Sequence, residues 1–298
     1  MELKVSNTEG CKSFNSKSLR APTRRYPVVL SIAGSDSSGG AGIQADLKTL
    51  SALGVYGATA ITAITAQNTV GVHSQLAVAP EMVFDQIAAV IEDIKPSAIK
   101  IGMLSNAEVA LAVDRALCGC DIPIILDPVM VSTSGDRLLS IEAQDVVKHR
   151  LMPRATLITP NIPEMEALAA MHIATPSDKA EAAHRLIALG AQAVLLKGGH
   201  EQEDAKLDIL YLSRPNGVEV AHFSTPSITT RNTHGTGCTL SAAIAAYISQ
   251  GLGLKEAIGA AKGYISEAIK AGAEVAIGNG FGPVNHLFNP IKMQIYEE

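Results

Sequence analysis

The chain has 298 residues, 47% of them hydrophobic but only 4% aromatic, with no tryptophan and a net charge of −5. That length allows two domains or one large α/β domain, and a core of Val, Ile, Leu and Ala suits a parallel sheet covered by helices. No apolar run nears the roughly 20 residues of a membrane span. The four cysteines make no disulfide framework, and the acidic balance argues against nucleic-acid binding.

Charge is unevenly placed. Residues 1–25 hold six Lys/Arg and two Glu, a net of +4, so the remainder carries −9. Glu2 and Glu9 fall where transit peptides avoid acids, and no apolar secretion core of roughly 7 residues is present. Residues 1–25 are therefore read as a disordered extension. The rest, 26–298, is read as a single domain of a cytoplasmic protein.

Pro27 to Gly34 is a short apolar run that ends in glycine and predicts a buried strand. A Gly/Ser loop from Ser35 to Gly42 leads to a helix from Ile43 to Leu53, with apolar residues at Ile43, Leu47, Leu50 and Leu53. Ala58 to Thr65 reads as strand, Met82 to Ile94 as helix, Ala98 to Ile101 as strand and Ala107 to Leu117 as helix. Ile122 to Leu126 is a strand that stops at Asp127. Thr156 to Thr159 is another, stopping before Pro160 and Asn161. Helices are expected from Glu164 to Ala170 and Lys179 to Leu189, then a strand from Ala193 to Lys197 that ends in Gly198-Gly199. Asp208 to Leu212 and Val218 to Phe223 predict a hairpin around Asn216-Gly217. Helices from Thr239 to Ser249 and Leu254 to Ala271 close the chain. This alternation predicts an α/β fold with a mostly parallel central sheet and helices on both faces. Ligands of such sheets lie beyond the carboxyl ends of the strands.

The polar signals fall at those ends. Thr233-His234-Gly235-Thr236-Gly237-Cys238 precedes an Ala-rich helix. Glycines let several N–H groups point one way, and the helix adds its unpaired N–H groups and positive dipole end. The product is a cradle for phosphate. Cys238 lies in it, where a thiolate is expected to be stabilised. His234 reads as a plain loop histidine. Asp127 and Glu164, at two strand ends, could hold Mg²⁺ through waters, although a loop-capping Asp and a helix-capping Glu are the commoner outcomes. Asp46, early in a helix, reads by itself as part of a solvated face. Cys118 and Cys120 read as helix-end packing rather than a metal site. The glycine-rich turn Gly34 to Gly42 matches neither a P-loop nor a dinucleotide fingerprint.

Together the segments AGSDSSGGAGIQADLKTLSALGVYG, TAQNT, KIGML, LDPVM, SGD, ITPNIPE, LLKGGH, NTHGTGCTLSAAIAA and GNGFGPVNH resemble the hydroxymethylpyrimidine/phosphomethylpyrimidine kinases of thiamin biosynthesis, within the ribokinase-like superfamily. The resemblance implies a ribokinase-like fold and ATP with Mg²⁺ as phosphate donor. Its implied substrates are 4-amino-5-hydroxymethyl-2-methylpyrimidine and then the monophosphate of that alcohol. It implies that Gln67 and Asp46 contact the pyrimidine, with Gly34 and Met103 on the pocket wall. Gly235, Thr236 and Gly237 match the anion hole, and Cys238 the residue that takes the hydroxyl proton. Asp127 and Glu164 match the Mg²⁺ positions. Lys197, Asn161 and Thr233 are expected beside the ATP phosphates. A homodimer is expected. The near-terminal segment Pro283-Val284-Asn285-His286 departs from the pattern and is expected to lie away from the chemistry. The alternative is a pyridoxine/pyridoxal kinase of the same scaffold, against which Gln67 counts, because that position tends to be apolar where pyridoxal is the substrate. A catalytically dead ligand sensor is the alternative from another class.

Overall fold

The computed structural model describes residues 24–132, 135–198 and 205–297. Gly199, within one expected strand end, and residues 1–23 of the expected extension lie outside these. Nine strands form one sheet in the order β10-β9-β8-β7-β6-β5-β2-β3-β4. Its parallel centre comprises β2 (Val28–Asp36), β3 (Tyr56–Gln67), β5 (Ala98–Ile101), β6 (Ile124–Leu126), β7 (Leu157–Ile158) and β8 (Ala193–Leu196). Antiparallel strands finish both edges: β4 (Val72–Ala77) on β3, and the hairpin β9 (Ala205–Arg214) with β10 (Gly217–Pro226) on β8. Arg214 pairs with Gly217, so the hairpin turns on two residues, and Gly217 takes the positive φ of 130°.

Alternate residues of each strand supply opposite faces. Leu30, Ile32, Ile124 and Leu126 pack against α2 (Pro80–Ala89), α3 (Ala107–Ala116), α4 (Ile141–Val146), α5 (Ile162–Ala169) and α6 (Pro176–Ala188). Val29, Ile125 and Leu195 face α1 (Gly42–Ala52), α7 (Thr236–Ser249) and α8 (Leu254–Gly272). Alanine supplies half of the buried face of α7, and Ala257, Ala261 and Ala268 much of that of α8. The helix expected from Met82 to Ile94 is α2 followed by a π-helical turn, Val90–Ile94, that ends at Lys95 with φ 55°.

Two elements escape the pattern reading. Strand β4 carries mostly exposed residues, as an edge strand does, so no alternation marks it. Helix α4 is six residues long and buries only Ala143. The boundary drawn at residue 26 also shifts, because Arg24–Arg25 (β1) pairs antiparallel with Tyr296–Glu297 (β11). A backbone ladder, extended by an Arg24–Glu297 ion pair of 3.3 Å, fastens the start of the domain to its end.

Candidate active site

One cavity of about 810 Å³ opens at the carboxyl ends of the parallel strands. Gly34, Gln67, Met103, Asp127, Asn161, Glu164, Lys197, Thr233, Gly235, Thr236, Gly237 and Cys238 all line it. Residues scattered over two hundred positions meet here because most lie at or just past the end of a neighbouring strand, or at or just before the start of the next helix.

The cradle is the N-terminus of α7. Gly235 caps the helix with φ 78°, a conformation open to glycine at little cost. A Cβ there would lie 1.8 Å from the Gly40 carbonyl oxygen, so this loop and the β2–α1 loop are in backbone contact. Gly237 differs. A Cβ there would enter the space 3.5 Å from Lys197 Nζ and 3.6 Å from an Asp127 carboxylate oxygen.

Cys238 corrects the expected thiolate. Burial pushes its thiol up to about 11, with the charges of Asp46 and Asp127 acting the same way. The buried Lys100 ammonium and the Gly42 N–H oppose this without prevailing. The helix end alone therefore does not ionise the sulfur, and the resting thiol is neutral.

Asp127 lies just past β6 and is buried. It accepts from Lys197 Nζ (2.9 Å), Thr159 Oγ1 (3.1 Å) and Ser241 Oγ (3.3 Å). Burial raises its carboxyl, but Lys197 and Lys100 outweigh burial and hold it below the ordinary range. Glu164 goes the other way: burial, helped by the charge of Asp127, lifts it despite Lys197 at 3.6 Å. Glu164 also caps α5, since its carboxylate accepts from Asn161 N (2.7 Å) while the Asn161 side chain accepts from Glu164 N (2.9 Å). The capping and cavity readings of Glu164 thus hold together. Lys197 is kept ionised, against burial, by both acids. Two carboxylates lining one cavity are an oxygen donor set suited to Mg²⁺ that keeps several waters. Among the described residues no group of three or more His, Cys, Asp or Glu forms a complete metal cage.

Two bulges shape the opposite wall. The β2–β3 register slips between Ala33 and Ser35, and the β3–β4 register slips between Ala66 and Gln67. Such bulges re-aim side chains beside sites. A Cβ on Gly34 would stand 2.9 Å from Met103 Sδ, so the bare glycine leaves that sulfur its place on the wall. Gln67 is half-buried, its amide oxygen 3.1 Å from Thr65 Oγ1. Its main chain is held at both ends by Ser37 Oγ, which donates to Gln67 O (2.7 Å) and accepts from Gln67 N (2.8 Å).

Asp46 is placed differently from both expectations. It is 0% exposed, so it lies on no solvated face, and it is not part of the cavity wall. Its carboxylate accepts from Lys100 Nζ (2.9 and 3.1 Å) and Ser31 Oγ (2.6 Å) behind that wall. Helix α1 turns this position toward β2 and β5, and the buried lysine takes up the charge.

Three further residues shape the site, of which the sequence marks only His234, and that one as a plain loop histidine. Asp36 and His234 both border the cavity, and His234 is buried with Nε2 2.8 Å from Asp36 Oδ2, not a free loop side chain. The available signal was an Asp opening a Ser-Gly turn, which accepts the N–H two residues on; Ser38 N does donate to Asp36 (2.8 Å). Asp208 on β9 accepts from Gly198 N (2.9 Å) and from Lys262 Nζ (2.6 Å), shaping the turn after Lys197. The segment expected to stand apart from the chemistry instead backs the cradle. His234 N donates to Gly282 O (3.0 Å), and His286 Nε2 lies 2.9 Å from Thr239 Oγ1.

A parallel sheet flanked by helices, a helix-end cradle and paired lysine–carboxylate charges at its strand ends define a ribokinase-like small-molecule kinase. The chain belongs to the phosphomethylpyrimidine kinase family, whose model matches residues 36–285. It is 48% identical over 262 residues to the hydroxymethylpyrimidine/phosphomethylpyrimidine kinase of Rhizobium meliloti, covering 87% of this chain and 96% of that one. It is also 48% identical over 284 residues to the thiamine biosynthesis bifunctional protein ThiED of Geobacter sulfurreducens; this covers 95% of this chain, which spans only 56% of that longer protein. Among solved structures, an ADP complex of Bacillus subtilis pyridoxal kinase superposes with a TM-score of 0.80 at 36% identity, covering 88% of this chain and 98% of the other.

Proposed function

We propose that the protein transfers the γ-phosphoryl group of ATP to the hydroxymethyl group of 4-amino-5-hydroxymethyl-2-methylpyrimidine, and then a second one to the resulting monophosphate. The observation that carries this reading is one cavity with an anchored amide, Gln67, on one wall and the Gly235–Cys238 cradle with Lys197 on the other. An amide both donates and accepts, which matches the amino group and adjacent ring nitrogen of an aminopyrimidine. Gly34 and Met103 would flank the ring. Asn161, Thr233 and Lys197 would meet the phosphates of ATP. Asp127 and Glu164 would hold Mg²⁺, which when bound neutralises charge on those phosphates. The N–H groups of Gly235, Thr236 and Gly237 would face the oxygens of the moving phosphoryl group. Cys238, in its thiolate form, would receive the proton of the hydroxymethyl group.

Incubation of the protein with the pyrimidine and MgATP tests this, with mono- and diphosphate separated by chromatography. Both products are expected. Consumption of ATP with neither product, or no consumption at all, would overturn the proposal, and the second result would favour a ligand sensor. The likeness to a pyridoxal kinase supports pyridoxal as the competing substrate; faster turnover of pyridoxal than of the pyrimidine would establish it. Ile64 and Leu76, paired across β3 and β4 and both exposed, form an apolar edge that supports a homodimer, to be read by light scattering. Among the described residues no helix is long and apolar enough to cross a membrane. Cys118, Cys120 and Cys238 are free thiols, which fits a reducing cytoplasm.

A further inference from the structure

We propose that Asp36 and His234 are positioning residues for phosphoryl transfer: their bond joins the wall that reads the substrate ring to the cradle for the phosphoryl group and sets the distance between them. The proposal rests on the roles given above to Gln67 and to Gly235–Cys238.

Asp36 is the last residue of β2, 3% exposed, and its carboxylate is the hub of the β2–α1 loop. It accepts from Ser38 N (2.8 Å), Ser38 Oγ (2.8 Å), Gly40 N (3.1 Å) and Ala41 N (2.8 Å). His234 comes from the distant β10–α7 loop and brings Nε2 to 2.8 Å from Asp36 Oδ2. Burial works to raise this carboxyl, yet His234, Ser38 and Ala41 outweigh it and hold the group at about 2. An ionised carboxylate only accepts, so Nε2 carries the proton and donates.

Each partner is chained to one half of the site. Ser37, next to Asp36, grips both backbone groups of Gln67. His234 precedes Gly235, the cap of α7, and its own N–H is fixed by Gly282 O (3.0 Å). The path Gln67–Ser37–Asp36–His234–Gly235 therefore runs from ring to phosphate through short bonds, beside the Gly40–Gly235 backbone contact. Apolar side chains would close these loops against water equally well. A charged, directional bond adds a fixed length and angle. A misplacement of about 1 Å between reacting groups costs on the order of 10²-fold in rate.

Four variants test this: His234→Leu, His234→Gln, Asp36→Asn and the double Asp36→Asn/His234→Leu. Turnover of the pyrimidine is read at saturating MgATP, pyrimidine Kd by calorimetry, and folding by Tm. For His234→Leu, kcat is expected to fall by about 10-fold or more while Kd stays within about 2-fold. Glutamine keeps a donor within reach of Asp36, so His234→Gln is expected to recover most of kcat. The double variant is expected to be no worse than the poorer single one, since both remove one device. Unchanged kcat in a folded His234→Leu protein, a loss confined to Kd, or fully additive losses would overturn the proposal. Should His234→Leu fail to fold, Asp36→Asn, close in shape to the native residue but without its charge, is expected to lower kcat by about 10-fold with Kd within about 2-fold, and unchanged kcat there would overturn the proposal equally. Failure of the pyrimidine reading would appear in the wild type as absent product, whereas failure of this inference appears only in the variants.

Discussion

The neutral Cys238 thiol makes the pH dependence of the first phosphorylation the sharpest test of the chemistry. With its thiol pushed up to about 11, chiefly by burial, only about one molecule in three thousand carries the thiolate at pH 7.5. Reaching that form costs about 5 kcal/mol, which a kinase turning over at roughly 1–100 s⁻¹ can bear within its barrier. If the thiolate takes the alcohol proton, kcat for the pyrimidine should climb about tenfold per pH unit between about pH 7 and 9.5. Lys100 and Lys197 are held, against burial, above the ordinary lysine range by their acids, so neither titrates in that window. A phosphate monoester is already largely deprotonated at pH 7, so the second phosphorylation should show a shallower profile. Cys238→Ala should cost the first step about 10²-fold and the second step less. Cys238→Asp, ionised throughout, should flatten the first profile. The assay is initial rate by product chromatography from pH 6.5 to 9.5, with Tm taken at each pH. A flat first-step profile in the wild type, or equal losses in both steps for Cys238→Ala, would refute the assignment of Cys238 as base while leaving the kinase reading intact.

Gly235→Ala should lower Tm and abolish turnover, because it adds about 1–2 kcal/mol of left-handed strain and sets a Cβ 1.8 Å from Gly40 O. Gly237→Ala meets no such contact and should abolish turnover with Tm and pyrimidine affinity nearly unchanged; calorimetry that finds lost affinity with normal turnover would contradict this. Gln67→Met should move the kcat/KM ratio toward pyridoxal by about 10-fold or more, equivalent to about 1.4 kcal/mol, and an unchanged ratio would mean that Gln67 does not read the ring. His286 is held down to about 4 by burial, with the Lys48 charge adding to it, against 6.5 in the unfolded chain. The unfolded state therefore takes up the proton first, so stability is full above pH 6.5 and declines toward pH 4 by up to about 3 kcal/mol. In urea titrations His286→Gln should lose that slope, and an identical slope in both proteins would show that another group is responsible.

Much of the architecture is legible in sequence because strand ends and helix starts in a parallel sheet converge by construction. Once the alternation was seen, Asp127, Asn161, Lys197 and Thr233 could be assigned to one rim, and all four line one cavity. What stayed hidden depends on which way a side chain turns and what it meets. Asp46 sits at the right point along α1 but faces Lys100, and nothing local in the sequence pairs positions 46 and 100. His234 looks like a loop residue until the β2–α1 loop, nearly two hundred positions earlier, is laid against it. The state of Cys238 was misjudged for a related reason. A helix start favours an anion locally, but burial is a property of the whole fold, and here burial wins.

The charges around that thiol explain why burial can win without disabling the site. Asp46, Lys100, Asp127, Lys197 and Glu164 come from α1, β5, the end of β6, the end of β8 and the start of α5, with acid and base alternating. Replacing a buried ion pair by apolar side chains is often neutral or stabilising, so stability alone gives no reason for the series. What it provides is charge held in place. Each lysine is kept ionised by its flanking acids, and Lys197, which lines the cavity, stays where it can face negative charge that develops there. Lys100 is the member that draws the thiol toward ionisation, while Asp46 and Asp127 draw it back. Removing Lys100 alone would leave Asp46 buried without its counter-charge, and removing Asp46 alone would free a buried ammonium beneath the sulfur. The two must therefore be read as one unit with opposed effects on Cys238, and burial, the largest influence on the thiol, decides its resting state.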